Sequence, residues 1–156
     1  MPAIALYQPD IPQNLGSILR LCACMDVLCH IIEPCGFILD DKRIARVAMD
    51  YIDQVKCQRH TSWEQFKAYA EQEKARIILL STKSSINYLN YTFQDSDILL
   101  MGRESAGVPQ EVADYADASL RISMSENARS LNVALAASMA LGEALRQVAK
   151  ISSDIS

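Results

Sequence analysis

Polar residues in this chain gather in three clusters, each following a strand-like apolar run. The first is Pro12-Gln13-Asn14-Leu15-Gly16-Ser17-Ile18-Leu19-Arg20, in which Asn14 is placed to cap a helix and Arg20 falls about a turn and a half into it. In the second, Gly102-Arg103-Glu104-Ser105-Ala106-Gly107-Val108-Pro109, two glycines bracket a carboxylate and Pro109 stands where a helix can begin. The third, Ser130-Leu131-Asn132, opens an Ala-rich stretch. None is a nucleophile-and-base signature: no His accompanies a Ser or Cys in an elbow, and there is neither a Walker lysine loop nor a Gly-x-Gly-x-x-Gly. Taken singly, each cluster is also what a helix start, a turn or a cap requires.

Other chemistries find less support. Five cysteines, at 22, 24, 29, 35 and 57, form no CxxC pair and read as reduced thiols. Cys29 and His30 are neighbours, but successive residues of a strand point to opposite faces, so no metal site is expected. With 15 Lys+Arg against 19 Asp+Glu, the chain does not hold nucleic acid by bulk charge, and contact with RNA has to be local. Lys42, Arg43 and Arg46, with Arg59 and Arg129, are candidates for it, although they also suit a solvated face.

The elements that must position these clusters alternate. Strand-like runs are predicted at Ile4 to Tyr7, Leu28 to Ile32, Arg76 to Leu80, Ile98 to Met101 and Leu120 to Ile122. Helical patterns lie between or after them, at Gly16 to Met25, Asp41 to Met49, Ser62 to Gln72, Pro109 to Tyr115 and about Asn132 to Lys150. That order predicts an α/β fold, a parallel sheet with helices on both faces and ligands outside the carboxyl ends of its strands. The 156 residues, half of them hydrophobic, suit a single domain over 1–151 with a short polar tail at 152–156. Met1 runs straight into Pro2 and a strand, with no leader pattern, and no apolar run approaches a membrane span. Small residues cover most of the last helix (Ala134, Ala136, Ala137, Ala140, Gly142, Ala144), which predicts close packing against another helix, either in the core or across a dimer.

In this order, the three clusters resemble the three motifs of the SPOUT RNA methyltransferases, and nearly the whole chain joins in. It is similar to the small single-domain subfamily that 2′-O-methylates the wobble nucleotide, cytidine or uridine 34, of tRNA. The likeness runs through Ile4-Ala5-Leu6-Tyr7-Gln8-Pro9, Ile31-Ile32-Glu33-Pro34, Asp41-Lys42-Arg43, Asp50-Tyr51 and Leu141-Gly142-Glu143-Ala144-Leu145-Arg146-Gln147. The resemblance implies a C-terminal trefoil knot, a rare exception to the connection rules. It also implies a cytoplasmic homodimer with tRNA as partner, without DNA or membrane. S-adenosylmethionine, leaving as S-adenosylhomocysteine, is the implied cofactor, touching Leu80, Gly102, Ile122, Ser130 and Leu131 largely through backbone groups, with no metal.

By the same resemblance Arg20 acts on the 2′-hydroxyl. A guanidinium stays protonated, which favours orienting the hydroxyl and stabilising the developing alkoxide over acting as its base. Asn14 is then expected to orient Arg20 or the ribose, Glu104 to hold the loop or the arginine, and Asn132 with Ser130 to fix the cofactor end. Arg103 stands where relatives often carry Pro, and Gly142 where many carry an aromatic residue. The same chemistry on ribosomal RNA and a catalytically silent RNA-binding dimer are the alternatives.

Overall fold

A computed structural model describes residues 1–48 and 56–148. Six strands form one all-parallel sheet: β1 (Ala3–Tyr7), β2 (Cys29–Ile32), β3 (Cys57–His60), β4 (Arg76–Leu80), β5 (Asp97–Met101) and β6 (Ala118–Leu120), in the order β3-β2-β1-β5-β4-β6. The helices are α1 (Pro12–Met25), α2 (Asp41–Ala48), α3 (Trp63–Gln72), α4 (Gln110–Tyr115) and α5 (Val133–Val148), with a short 3-10 turn at Tyr88–Asn90.

Both faces of the sheet are covered, and the alternation of strand side chains assigns each residue to one of two cores. Ile4 and Leu6 of β1, with Ile78 and Leu99, pack beneath α1 and α5 against Leu15, Ile18, Leu19, Ala137 and Ala140. Ala3, Ala5 and Tyr7, with Ile77, Leu79 and Leu100, pack on the opposite face against Trp63, Phe66 and Ala70 of α3 and Val112 of α4. This is why the central strands read as unbroken apolar runs: every residue of β1 and β5 is buried.

Three boundaries differ from expectation. β3 was not anticipated, because at this sheet edge only His60 of Cys-Gln-Arg-His is buried and no apolar run betrays a strand. β6 ends at Leu120 rather than Ile122, and Arg121 forms only an isolated bridge with Asn87. Helix α1 begins at Pro12, four residues before Gly16, with Ile11 as its N-cap and no capping side chain. Proline presets φ for the first helical position and gives up an N–H that would have no partner there. Asn14 is therefore not the cap but a residue of the first turn, which leaves its side chain free for other bonds. Met49, the Asp50-Tyr51 pair and the tail at 152–156 lie outside the described residues.

Cys29 and His30 do face opposite ways. Cys29 packs in the core under α1, whereas His30 lies on the α3 face, its Nδ1 3.0 Å from Nε2 of His60 and its ring 5.6 Å from that of Phe66. All five cysteines are free thiols. Among the described residues no group of three His, Cys, Asp or Glu could hold a metal ion, and no helix is long and apolar enough to cross a membrane.

Candidate functional site

The adjacent strands β1 and β5 send their following chains to opposite faces of the sheet, β1 to α1 and β5 to α4. A crevice between diverging loops is where open parallel sheets take ligands. Two of the three polar clusters leave from these strands, and the third begins α5, which packs against α1, β1 and β5.

The loop after β5 is tightly made. Arg103 and Gly107 exchange backbone hydrogen bonds, Arg103 N to Gly107 O at 3.0 Å and Gly107 N to Arg103 O at 2.8 Å, which closes a loop carrying Glu104, Ser105 and Ala106. Gly107 has φ of +64°, a left-handed conformation that favours glycine. Gly102 is required for a reason the sequence did not show: a Cβ there would stand 2.8 Å from the Cα and C of Gly107. Its first constraint is the neighbouring backbone, so a side chain at 102 tests loop closure before it tests space for a ligand.

The three clusters meet in one line of hydrogen bonds. Asn14 Nδ2 donates to Glu104 Oε1 at 3.1 Å, and Asn132 Nδ2 donates to Asn14 Oδ1, also at 3.1 Å. Asn132 caps α5 as well, its Oδ1 accepting from the N–H groups of Ala134 at 2.9 Å and Leu135 at 3.3 Å. One amide thus caps α5 with its oxygen and joins Asn14 with its nitrogen. For Glu104 the bonds favour loop-holding: besides Asn14, its carboxylate accepts from the Asp10 N–H at 3.5 Å.

Sequence reasoning missed Asp10. Its carboxylate accepts from the Ser105 hydroxyl and lies within hydrogen-bonding reach of Glu104. The hydrogen bond shared with Glu104 holds Asp10 below the ordinary carboxylate range, while burial and then Asp10 push Glu104 above it. The position of Asp10 two residues before Pro12 was the available signal, but a lone carboxylate in a turn has no periodicity to mark it.

Arg20 is half-buried in α1. Six residues separate it from Asn14, which in a helix means roughly 9 Å along the axis and about 120° around it. The two Asn14 bonds described above go to Glu104 and Asn132, which gives Asn14 a part not expected from the sequence, tying the loops together.

Leu80 is the last residue of β4, and Gly102 and Ile122 follow the carboxyl ends of its neighbours β5 and β6: Leu80 pairs with Met101 on one side and with Leu120 on the other. Ile122 is buried, and Leu80 and Leu131 pack partly buried against the same core, so this edge offers apolar side chains beside backbone groups. Ser130 is exposed next to Leu131. Two cavities of about 270 and 190 Å³ open elsewhere, beside α3, and include none of these residues. Of the basic candidates, Arg59 is engaged: its Nη2 donates to Glu33 Oε1 at 2.7 Å and to the Leu39 carbonyl at 3.0 Å. Arg43 lies 5.5 Å over the Phe37 ring, while Lys42, Arg46 and Arg129 are exposed.

A doubly covered parallel sheet with polar loops converging where its connections diverge defines an α/β protein of the class that takes ligands at the strands' carboxyl edge. Residues 1–142 match the model of the SpoU rRNA Methylase family, and the chain belongs to that family. Among its relatives is a tRNA (cytidine(34)-2'-O)-methyltransferase of Beijerinckia indica, 57% identical over 93% of this chain and 91% of the relative. Another of that name from Escherichia coli K12 is 39% identical, over 93% and 92%. A structure solved for "Structural insights into the 2-OH methylation of C/U34 on tRNA" superposes with a TM-score of 0.87 at 36% identity, covering 94% of this chain and 95% of the other. An AdoMet-bound rRNA methyltransferase from Sinorhizobium meliloti superposes with a TM-score of 0.83 at 26% identity, covering 93% of this chain and 56% of that one.

Proposed function

We propose that this chain is an S-adenosylmethionine-dependent methyltransferase of the 2′-hydroxyl of the wobble nucleotide, cytidine or uridine 34, of tRNA. The observation that carries the reading is the Asn14–Glu104–Asn132 line, which joins three clusters separated by up to 118 residues at one crevice. Relatives of matching length named for that activity support the choice of tRNA over ribosomal RNA.

The apolar edge of Leu80, Ile122 and Leu131, with the backbone at Gly102 and Ser130, suits an adenosine with a polar tail. The cofactor supplies a methyl group on a sulfonium, so transfer neutralises a cation and needs mainly alignment and loss of the hydroxyl proton. Arg20 orients the ribose oxygen and stabilises charge developing on it, as a permanently protonated planar donor does. Asn14, Glu104 and Asn132 keep the three loops in register, and Asp10 secures Glu104.

The reading includes one domain over residues 1–151, a C-terminal trefoil knot, a homodimer and a cytoplasmic location. For the knot, the support is the return of α5 from the β6 edge to pack at the middle of the sheet. For the dimer, Leu135 and Met139 are 56% and 44% exposed one turn apart on α5, and a Cβ at Gly142 would meet nothing within 4 Å, so one face of α5 is apolar and uncovered. The test is transfer of labelled methyl from S-adenosylmethionine to unmodified tRNA transcripts, with the product nucleoside mapped. Label on the ribose of nucleotide 34 is expected, and scattering should report twice the chain mass. Transfer to ribosomal RNA alone, or tRNA binding without transfer, refutes the assignment.

A further inference from the structure

Arg103 differs from the arginines that hold a carboxylate. Arg59, Arg76 and Arg146 each hold a carboxylate oxygen at 2.7 Å. Among the described residues Arg103 has no such partner, although it is half-buried. Its guanidinium lies 5.6 Å over the ring of Tyr7, and Nη1 makes one long hydrogen bond, 3.5 Å, to Gln8 Oε1. Its Nε is buried and has no acceptor among the described residues. Glu111, in the first turn of α4, also acts on the Tyr7 hydroxyl but lies beyond ion-pair distance of Arg103.

A guanidinium carries five N–H donors, and leaving such a charge partly desolvated without an anion is costly. Here the cost is built into a rigid setting. The backbone of Arg103 is pinned to Gly107 on both its N–H and carbonyl, its guanidinium lies over the buried Tyr7 ring, and Gln8 has φ of 43°. Residues kept in sparsely populated backbone conformations concentrate where function demands a fixed geometry. The side chain leaves the chain between Gly102 and Glu104, at the crevice. A planar fork with spare donors matches the oxygens of a phosphate. A chain of net charge −4 also needs such local cations if it is to hold RNA.

We propose that Arg103 is an RNA-backbone contact, its guanidinium taking a phosphate of the strand that enters the crevice beside the nucleotide to be methylated. The inference rests on the function proposed above. The carboxylate of the cofactor's methionine tail has related anionic chemistry, so the experiment separates the two sources. Binding of an unmodified tRNA transcript with cytidine 34 is measured between 50 and 200 mM salt, with S-adenosylhomocysteine saturating, for wild type, Arg103→Gln, Arg103→Met and Arg103→Lys. S-adenosylhomocysteine affinity is measured separately. Gln and Met both retain the stem over Tyr7, so a folding defect in one leaves the other to be read.

Losing one phosphate contact lowers the slope of log affinity against log salt by about 0.7 to 0.9. That decrease is expected for Gln and Met, with Lys keeping the wild-type slope and all variants keeping their affinity for S-adenosylhomocysteine. A wild-type slope in both neutral variants overturns the proposal, as does a tenfold loss of S-adenosylhomocysteine affinity with the slope intact. Methyl transfer by the same wild-type preparation tests the functional reading separately, since the salt slope reads Arg103 whether or not transfer occurs.

Discussion

Replacing Asn14 by Ala removes both hydrogen bonds that join the three clusters, the one donated to Glu104 and the one accepted from Asn132, each 3.1 Å long. The first is partly buried and the second exposed, so at about 1 kcal/mol net for each the loss is at most about 2 kcal/mol. Asn132→Ala removes the shared bond and the cap of α5, again about 2 kcal/mol. Because one bond is common to both, the double variant should lose about 3 kcal/mol rather than 4, a coupling of about 1 kcal/mol. Denaturant unfolding of the four proteins at one fixed concentration measures it, fixed because a dimer's stability depends on concentration. Single-turnover methyl transfer is the parallel readout. If the line aligns the reactants, Asn14→Ala costs up to roughly thirtyfold in rate, the equivalent of 2 kcal/mol. Losses that add within a few tenths of a kcal/mol, together with a wild-type transfer rate in Asn14→Ala, would refute the view that these residues act as one unit.

Arg20→Ala should cut transfer by on the order of a hundredfold with S-adenosylhomocysteine affinity near wild type, and Arg20→Lys should rescue poorly; a wild-type rate in the Ala protein removes Arg20 from the mechanism. Gly102→Ala places a Cβ 2.8 Å from the Gly107 backbone, so calorimetry should show a loss of about 1–3 kcal/mol and weaker S-adenosylhomocysteine binding, whereas an unchanged melting temperature would contradict the packing. Burial, and then His60, hold His30 down to about 4, and burial lowers His60 as well. A histidine buried neutral stabilises fully above its unfolded pKa near 6.5, and that stability is lost as pH falls towards 4. His30 alone should account for about 3 kcal/mol by pH 4. Unfolding of wild type and His30→Phe at pH 7.5 and 4 isolates this from the carboxylates, and identical pH dependence in the two would rule it out.

The alternation of apolar runs with helical patterns determined the sheet class, because a strand buried on both faces must be apolar throughout and a helix on one face needs a stripe. It also delivered the three clusters, since glycines, prolines and amides at loop positions are local signals. Edge strand β3 was illegible: a strand with one buried residue in four has no hydrophobic signature, and only pairing with β2 makes it a strand. The start of α1 was misplaced because Asn14 is as good a cap by type as Pro12 is a first-turn residue, and local chemistry does not rank them. That one shift decided the site, for it freed the Asn14 amide to bind Glu104 and Asn132 across 90 and 118 residues. The clash that keeps position 102 glycine, the Asp10–Glu104 pair and Arg103 without a carboxylate are likewise long-range or loop-specific. They exist only once separate segments meet, and no spacing along one segment encodes them.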